Sequence, residues 1–238
     1  CALDGFLDRG AGQRRTLLAD LDAVTGHCIQ LRVIALLEGA LGAVTADQQD
    51  FLNTVNQNAD RLETLVGKVV TATQLVTGQA QYTPQDMDVS AILTQLQARF
   101  TPMAAAKAIE LQVSGADRQI KTTGDAKRLT EALAQVLENA IQATSEGSVR
   151  LTCAETHDGI DLEVIDTGVG IPEEALPTLF QQFRFVGGVD DRKTGGLGLG
   201  LFIARAFIEV QGGTVRLACL LGKGTRVTIR LPKRAAGG

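Results

Sequence analysis

Apolar residues in the first third of the chain recur at intervals typical of amphipathic helices. Two runs are present, one with a 4-3-4-3 spacing and a longer one whose steps average about 3.5 residues, as in a coiled-coil seam. They comprise Leu17, Leu21, Val24, Cys28 and Leu31, and then Phe51, Val55, Asn58, Leu62, Leu65, Val69, Ala72 and Val76. Residues 39–45 interrupt the pattern, and Thr45 offers an N-cap for the second helix. The spacing therefore predicts an antiparallel helical hairpin over residues 1–80.

A single hairpin cannot bury its own apolar seam. Pairing of two hairpins into a four-helix bundle would bury it, so we expect a homodimer through residues 10–80. The alternative is an ordinary helical subdomain that packs against the rest of the same chain.

Beyond a linker at residues 78–84, the pattern alternates between helical and strand periodicity. Pro102 is expected to interrupt a helix over 89–108, and Asp125 offers an N-cap for a helix over 124–144. Gly212 and Gly213 end a helix over 199–211. The predicted helices are 89–108, 124–144 and 199–211, and the predicted strands are 109–113, 149–153, 160–165, 214–220 and 225–231. Uneven interleaving with an Asp-Gly hairpin at residues 157–159 predicts an α/β two-layer sandwich with a mixed sheet over 86–238.

Composition narrows the classes of protein further. The formal net charge of the 238 residues is -4 and no long basic run exists, which argues against nucleic-acid binding. None of the four cysteines forms a CxxC pair, which favours a reducing, cytoplasmic setting over a disulfide or zinc framework. No apolar run reaches the roughly 18 residues of a membrane span. The chain starts at Cys1 rather than Met, so we expect it to be part of a longer protein with an upstream sensor or anchor.

The first segment with candidate chemistry lies within the predicted helix 124–144. Asn139 follows Glu138 among apolar residues, and a carboxamide there needs a partner because an unpaired buried polar group costs roughly 1–3 kcal/mol. An amide oxygen suits Mg²⁺ beside a phosphate. A solvent-facing or capping amide is the alternative for Asn139.

The second segment follows directly after a predicted strand. Asp166, Gly168 and Gly170 form an Asp-x-Gly-x-Gly pattern in which the carboxylate could accept a hydrogen bond from an exocyclic amine such as that of adenine. The glycines would allow a ligand to approach the backbone closely. A plain Asp-x-Gly turn is the alternative.

The third segment is rich in glycine and begins the predicted helix 199–211. Gly195, Gly196 and Gly198 precede that helix and Gly200 lies in its first turn, and such a loop at a helix N-terminus can bind phosphates. It is not a Rossmann fingerprint, because Leu201 stands where the third glycine is required and no strand precedes it directly. The chain contains no Walker A sequence either.

The order of these segments is more specific than any one of them. ENAIQA, DTGVGIP, the Phe180-x-x-Phe183 pair and GGLGLGL resemble the N, G1, F and G2 boxes of the histidine-kinase ATPase family. That family shares a Bergerat-type ATP-binding fold with type II topoisomerases, Hsp90 chaperones and MutL repair proteins, and the resemblance covers residues 86–233.

The resemblance implies a role for each matching residue. Asn139 would coordinate Mg²⁺, and Asp166 would bind the adenine amino group of ATP. The residues implied beside the adenine are Gly168, Gly170 and Thr225, and those around the phosphates are Gly196, Gly198 and Gly200. Residues 180–194 would form the ATP lid, from which Lys193 would reach the phosphates unless it is simply a solvated lysine. The family pattern is not matched at three positions. It usually has an Asn, His or Glu at the position of Gln135, a basic residue at the position of Gln142, and an aromatic residue at the position of Ala143.

The helical hairpin resembles the dimerisation and phosphoacceptor domain of the same family. Its acceptor histidine should fall near Ala19 or Asp20, where no histidine stands. His27 lies seven residues after Asp20, on roughly the same helix face, and is the candidate acceptor. Cys28 follows it in place of an acidic residue, so a surface histidine beside the seam is the alternative.

These features together predict the transmitter core of a two-component sensor histidine kinase. It would bind Mg-ATP, transfer the γ-phosphate to a histidine, and pass it to the receiver domain of a response regulator under an upstream sensor domain. The alternative is a degenerate pseudokinase module that binds ATP as an allosteric ligand without autophosphorylation. An ATPase clamp like those of the topoisomerases or MutL proteins is disfavoured, because Gln135 stands where such proteins have a catalytic Glu.

Overall fold

The computed structural model describes residues 44–183, 197–220 and 222–233, together with residues 33, 36 and 37. The chain divides into two compact units, Cys1–Gly67 and Lys68–Gly238. The division expected from the sequence, between residues 80 and 86, lies further along the chain and remains a prediction. Among the helices in the described ranges, none is both long and apolar enough to cross a membrane.

Helix α1, Ala46–Val76, forms where the longer apolar run was found. Thr45 and Gln48 close a reciprocal capping box at its start, since the Thr45 backbone N–H donates to Gln48 Oε1 and the Gln48 N–H donates to Thr45 Oγ1, at 3.0 and 3.3 Å. Several seam residues stay exposed, Phe51 by 69% and Leu62 by 63%. The predicted first helix, which contains Leu17 and Leu31, lies outside the described residues.

The second unit is built on a five-stranded mixed sheet, which confirms the predicted fold class. Its strands are β2 (Glu110–Ser114), β4 (Ser148–Glu155), β5 (Gly159–Asp166), β6 (Thr214–Leu220) and β7 (Gly224–Pro232). They lie in the order β2-β4-β5-β7-β6. Strands β2 and β4 are parallel, and the other neighbours are antiparallel.

Three helices cover one face of this sheet. They are α2 (Val89–Ala106), α3 (Ala126–Ala143) and α4 (Gly200–Glu209). Helix α2 contacts β2, α3 contacts β4 and β5, and α4 contacts β6. On β5 the residues Ile160, Leu162 and Val164 are buried against the helices, while Asp161 and Glu163 between them face solvent in part. This period-2 alternation places the buried residues on the face that the helices cover and the partly exposed residues on the other face of the sheet.

Two features depart from the sequence expectation. Pro102 lies inside α2, which continues to Ala106, so the predicted interruption is wrong; the helix packs on the sheet through residues on either side, including the buried Phe100 and Ala104. A small antiparallel pair, β1 (Gln85–Asp88) with β3 (Lys121–Gly124), was not predicted. Both strands have only four residues and little apolar alternation, so their sequence gave no strand signal.

Candidate functional site

One face of α3 organises the candidate site. Gln135, Asn139 and Ala143 lie on successive turns, four residues apart, and therefore point the same way. The N-terminus of α4 packs against the first two of them. A Cβ atom added to Gly200 would lie 2.9 Å from Gln135 Oε1 and 3.5 Å from Asn139 Nδ2. Glycine is thus what allows the start of α4 to approach these two amides so closely.

The last turn of the same helix contacts the segment that follows β5. The backbone N–H of Val169 donates to the carbonyl of Ala143 at 3.3 Å. A Cβ on Gly168 would lie only 2.5 Å from that carbonyl oxygen, so any side chain at this position would clash with the backbone. The end of α3 and the Asp-x-Gly segment are therefore fixed against each other.

Asp166, the last residue of β5, is only 5% exposed. Its Oδ1 atom accepts hydrogen bonds from the backbone N–H of Gly168 at 2.9 Å and of Thr225 at 3.1 Å. Burial raises the pKa of this carboxyl, and the hydrogen bonds from Gly168 and Thr225 partly oppose that rise. Both backbone donors hold the carboxylate through one oxygen. The arrangement orients the side chain, and a carboxylate held in this way has further lone pairs that can accept an N–H from a ligand.

The neighbouring strand β7 approaches Asp166 through a glycine. Gly224 has φ +89°, and a Cβ there would lie 1.9 Å from the carbonyl oxygen of Asp166. This contact brings Thr225 beside the carboxylate, as the resemblance implied. Two further glycines of the predicted site, Gly170 and Gly198, also have positive φ, at 69° and 65°.

The start of α4 has the properties of an anion site. Its N-cap is Leu199, which makes no side-chain capping hydrogen bond. The backbone N–H groups of the first turn are therefore available to other partners. Gly198 and Gly200 on either side carry no side chain that would cover these N–H groups. A helix N-terminus of this kind favours negative groups such as phosphates.

Most of the predicted site residues thus lie along one surface of the second unit. Asn139 and Gly200 meet at one end of the α3 face, and Asp166, Gly168 and Thr225 meet at the other end. Three predicted site residues, His27, Lys193 and Gly196, lie outside the described residues, as do residues 184–194 of the lid predicted over 180–194. Phe180 lies under the Arg205 guanidinium, 5.4 Å from its carbon to the ring centre.

Sequence reasoning gave Lys107 no role, although it supports this site. Its ammonium donates to the carbonyls of Ile141, Gln142 and Thr144 at 2.7, 3.1 and 3.0 Å. These are carbonyls from the C-terminal end of α3, which a cation stabilises. The lysine therefore holds the helix end whose Ala143 carbonyl contacts Gly168. A lysine two residues before a predicted strand carries no signal of this in the sequence.

A separate cleft lies between β1 and the first turns of α2 and α3. It measures about 590 Å³ and is lined by apolar Ile92 together with charged residues of both signs, among them Asp86, Arg99 and Lys127. It includes none of the predicted site residues. Its mixed charges define no ligand class, so the α3 face remains the candidate site.

Comparison with known proteins agrees with this geometry. Residues 124–235 match the family model described as histidine kinase-, DNA gyrase B-, and HSP90-like ATPase. This part of the chain is therefore an ATPase domain of that family, with its ATP-binding fold. The segment contains every described residue of the predicted site.

Curated relatives narrow the class to the sensor histidine kinases. The chain is 28% identical over 205 residues to the circadian input-output histidine kinase CikA of Synechococcus elongatus, covering 84% of this chain and 27% of that protein. It is 30% identical over 186 residues to the alginate biosynthesis sensor protein KinB of Pseudomonas aeruginosa, covering 78% and 31%. The chain thus carries a sensor-histidine-kinase-type ATPase domain, and it spans less than a third of these relatives' length.

Solved structures show the same fold. Full-length ShkA in complex with AMPPNP aligns with a TM-score of 0.74 and 26% identity, over 94% of this chain and 47% of that one. The histidine kinase AdeS of Acinetobacter baumannii aligns with a TM-score of 0.64 over 88% of this chain and 95% of its own, at 19% identity, which speaks to the fold alone.

Proposed function

We propose that this chain is the transmitter core of a two-component sensor histidine kinase, which binds Mg-ATP and transfers the γ-phosphate to a histidine. The observation that carries the proposal is the face of α3. It brings Asn139 against the glycine-rich start of α4 and Ala143 against the segment that follows Asp166. A nucleotide needs a polar acceptor for its base and an anion site for its phosphates. Asp166 and the start of α4 would supply these two.

Asp166 would recognise the adenine. Two backbone N–H donors fix the carboxylate through Oδ1, and its remaining lone pairs would accept from the exocyclic amine. A guanine has a carbonyl at the corresponding position, which would meet the carboxylate as a second acceptor. The proposed site therefore favours ATP over GTP. Gly168, Gly170 and Thr225 would shape the pocket around the base.

The phosphates would lie at the start of α4, along Gly198 and Gly200 and, by the family resemblance, Gly196. Asn139 faces this place with a half-buried carboxamide, whose oxygen is a hard ligand of the kind Mg²⁺ prefers. When bound, Mg²⁺ would neutralise charge that develops on the phosphates. Lys193 would add a cation from the lid.

Transfer requires a histidine nitrogen in line with the γ-phosphate, whose bond to the leaving ADP oxygen breaks as the N–P bond forms. We propose His27, or a histidine of another chain, as that acceptor. The second candidate function is a pseudokinase that binds ATP without labelling itself. It is favoured by one observation, the absence of histidine at Ala19 and Asp20, where the family pattern requires the acceptor.

The proposed partners follow from the hairpin and the family. The exposed apolar residues of α1, including Phe51 and Leu62, would be buried in a homodimer. A response-regulator receiver domain and an upstream sensor domain complete the proposed pathway, and the cytoplasmic setting remains a prediction. Light scattering at micromolar concentration should give a dimer mass, and a monomer would contradict the proposed assembly.

Incubation with γ-labelled ATP and Mg²⁺ separates the two functions. An active kinase that uses His27 gains an acid-labile label that disappears in His27→Ala, whereas the matched His157→Ala variant keeps it, because His157 is an exposed hairpin residue. Nucleotide binding without any label supports the pseudokinase. If the protein fails to bind Mg-ATP in calorimetry, both functions are wrong.

A further inference from the structure

An ion pair joins α1 to α3 within the second unit. Lys68 Nζ lies 3.1 Å from Glu138 Oε2, and the two side chains are only 17% and 27% exposed. The residues are 70 positions apart in the chain. A pair this sheltered is screened less by salt than one on the open surface, so its charges act more strongly on their surroundings.

Glu138 occupies a sensitive position on α3. It directly precedes Asn139, and it lies one turn beyond Gln135, whose Oε1 atom is the one closest to Gly200. Glu138 therefore lies next in sequence to the residue that is proposed to face the phosphates. Left unpaired, its negative charge would oppose the binding of a polyphosphate nearby. In the structure the Lys68 ammonium pairs with this charge.

We propose that Lys68 is a positioning residue for the phosphate site, acting by neutralising Glu138 and holding that carboxylate away from the nucleotide. The inference rests on the proposed binding of Mg-ATP along the α3 face. It adds a requirement that the glycines and Asn139 do not explain, namely a cation from α1 beside the acidic residue of the N box.

The electrostatic role predicts opposite effects for the two partners. Lys68→Met leaves the Glu138 carboxylate unpaired beside the phosphates and should weaken Mg-ATP binding, by roughly three- to tenfold at low salt. Glu138→Gln leaves the Lys68 ammonium free and should leave binding unchanged or strengthen it by a similar factor. The double variant restores the charge balance and should bind within about twofold of the wild type.

Calorimetric titration of the full chain with Mg-ATP and with adenosine tests this design. Adenosine carries no phosphate, so its affinity should be the same in all variants. Arg61→Met is the matched control, because it removes a cation from an exposed position of the same helix. The weakening in Lys68→Met should diminish at high salt, and thermal melting establishes that each variant is folded.

The inference is overturned if both single variants weaken Mg-ATP binding, or if adenosine and Mg-ATP lose affinity equally, since either result describes a packing contact. It is also overturned if Lys68→Met binds Mg-ATP as the wild type does. A wild-type protein that binds neither ligand rejects the proposed function itself, so the two failures are distinguishable.

Discussion

Replacing Asp166 by asparagine separates nucleotide recognition from stability. The side chain keeps its shape, and its Oδ1 can still accept the backbone N–H groups of Gly168 and Thr225. The other oxygen becomes an NH₂ group that meets the adenine amine donor to donor. Loss of a hydrogen bond to a charged acceptor amounts to roughly 1.5–3 kcal/mol, or about tenfold to a hundredfold in Kd.

The same variant should not be destabilised. Burial raises the pKa of the Asp166 carboxyl, which means that folding opposes its ionised form. This opposition is fully present above the pKa of the folded protein and vanishes below the pKa of the unfolded chain. At neutral pH the neutral asparagine therefore removes an unfavourable charge. We expect a Tm equal to or above that of the wild type, while nucleotide binding is weakened about tenfold to a hundredfold.

Calorimetry with Mg-ATP and thermal melting measure the two effects. Asp161→Asn is the matched control, because Asp161 lies on the same strand, is paired with Arg230 at 2.7 Å, and has a lowered pKa from that partner. It should bind Mg-ATP normally. In the wild type, affinity should fall on acidification at a higher pH than an ordinary aspartate would give. Unchanged affinity in a folded Asp166→Asn protein would refute the adenine assignment.

Two further predictions concern residues that support the site, and a third concerns a buried thiol. Gly224→Ala should lose more than about 2 kcal/mol of unfolding free energy, because the residue has φ +89° and its Cβ would lie 1.9 Å from a backbone oxygen. In Gly200→Ala the Cβ would lie 2.9 Å from the flexible end of Gln135, so this variant should keep its Tm yet weaken Mg-ATP binding. Equal Tm losses in the two variants would contradict this prediction. Lys107→Met should cost about 1 kcal/mol in urea unfolding, through three lost carbonyl contacts, with Lys107→Arg losing less. Burial, with Asp161 and Glu155 adding to it, raises the pKa of Cys153 to about 11 from an ordinary value of 9.0, so its alkylation at pH 8 should be about a hundredfold faster in urea than in the native protein, as peptide mapping would show.

The sheet and its helices could be predicted because their patterns are strong and local. Strand β5 alternates buried and exposed residues along its length, and Asp125 caps α3 by accepting from the Arg128 N–H, as its position before the helix suggested. The predicted interruption at Pro102 failed because packing of α2 outweighs the loss of one backbone hydrogen bond. Local propensity could not reveal that tertiary contribution.

The candidate site could be proposed from its residue types, but its contacts could not be predicted. Asp166, Asn139 and the glycines were proposed from their order along the chain, and the close approaches at Gly168 and Gly224 explain why glycine is required at those two positions. The supporting contacts of Lys107 and Lys68 join residues more than thirty positions apart. A lone lysine in a sequence has no pattern that distinguishes such a contact from a solvated surface position.

In the proposed site, recognition of the base and of the phosphates would depend on one element, helix α3. Its apolar face, with Leu133 and Leu137 fully buried, fixes the helix on the sheet. Its opposite ends are held by different partners, Asp125 at the N-terminus and Lys107 at the C-terminus. A helix fixed in this way cannot move toward the start of α4 without disturbing the contact between Ala143 and the segment that follows Asp166. The distance between the two halves of the proposed nucleotide site would therefore be set by the length of α3 between Asn139 and Ala143, about 6 Å at 1.5 Å per residue.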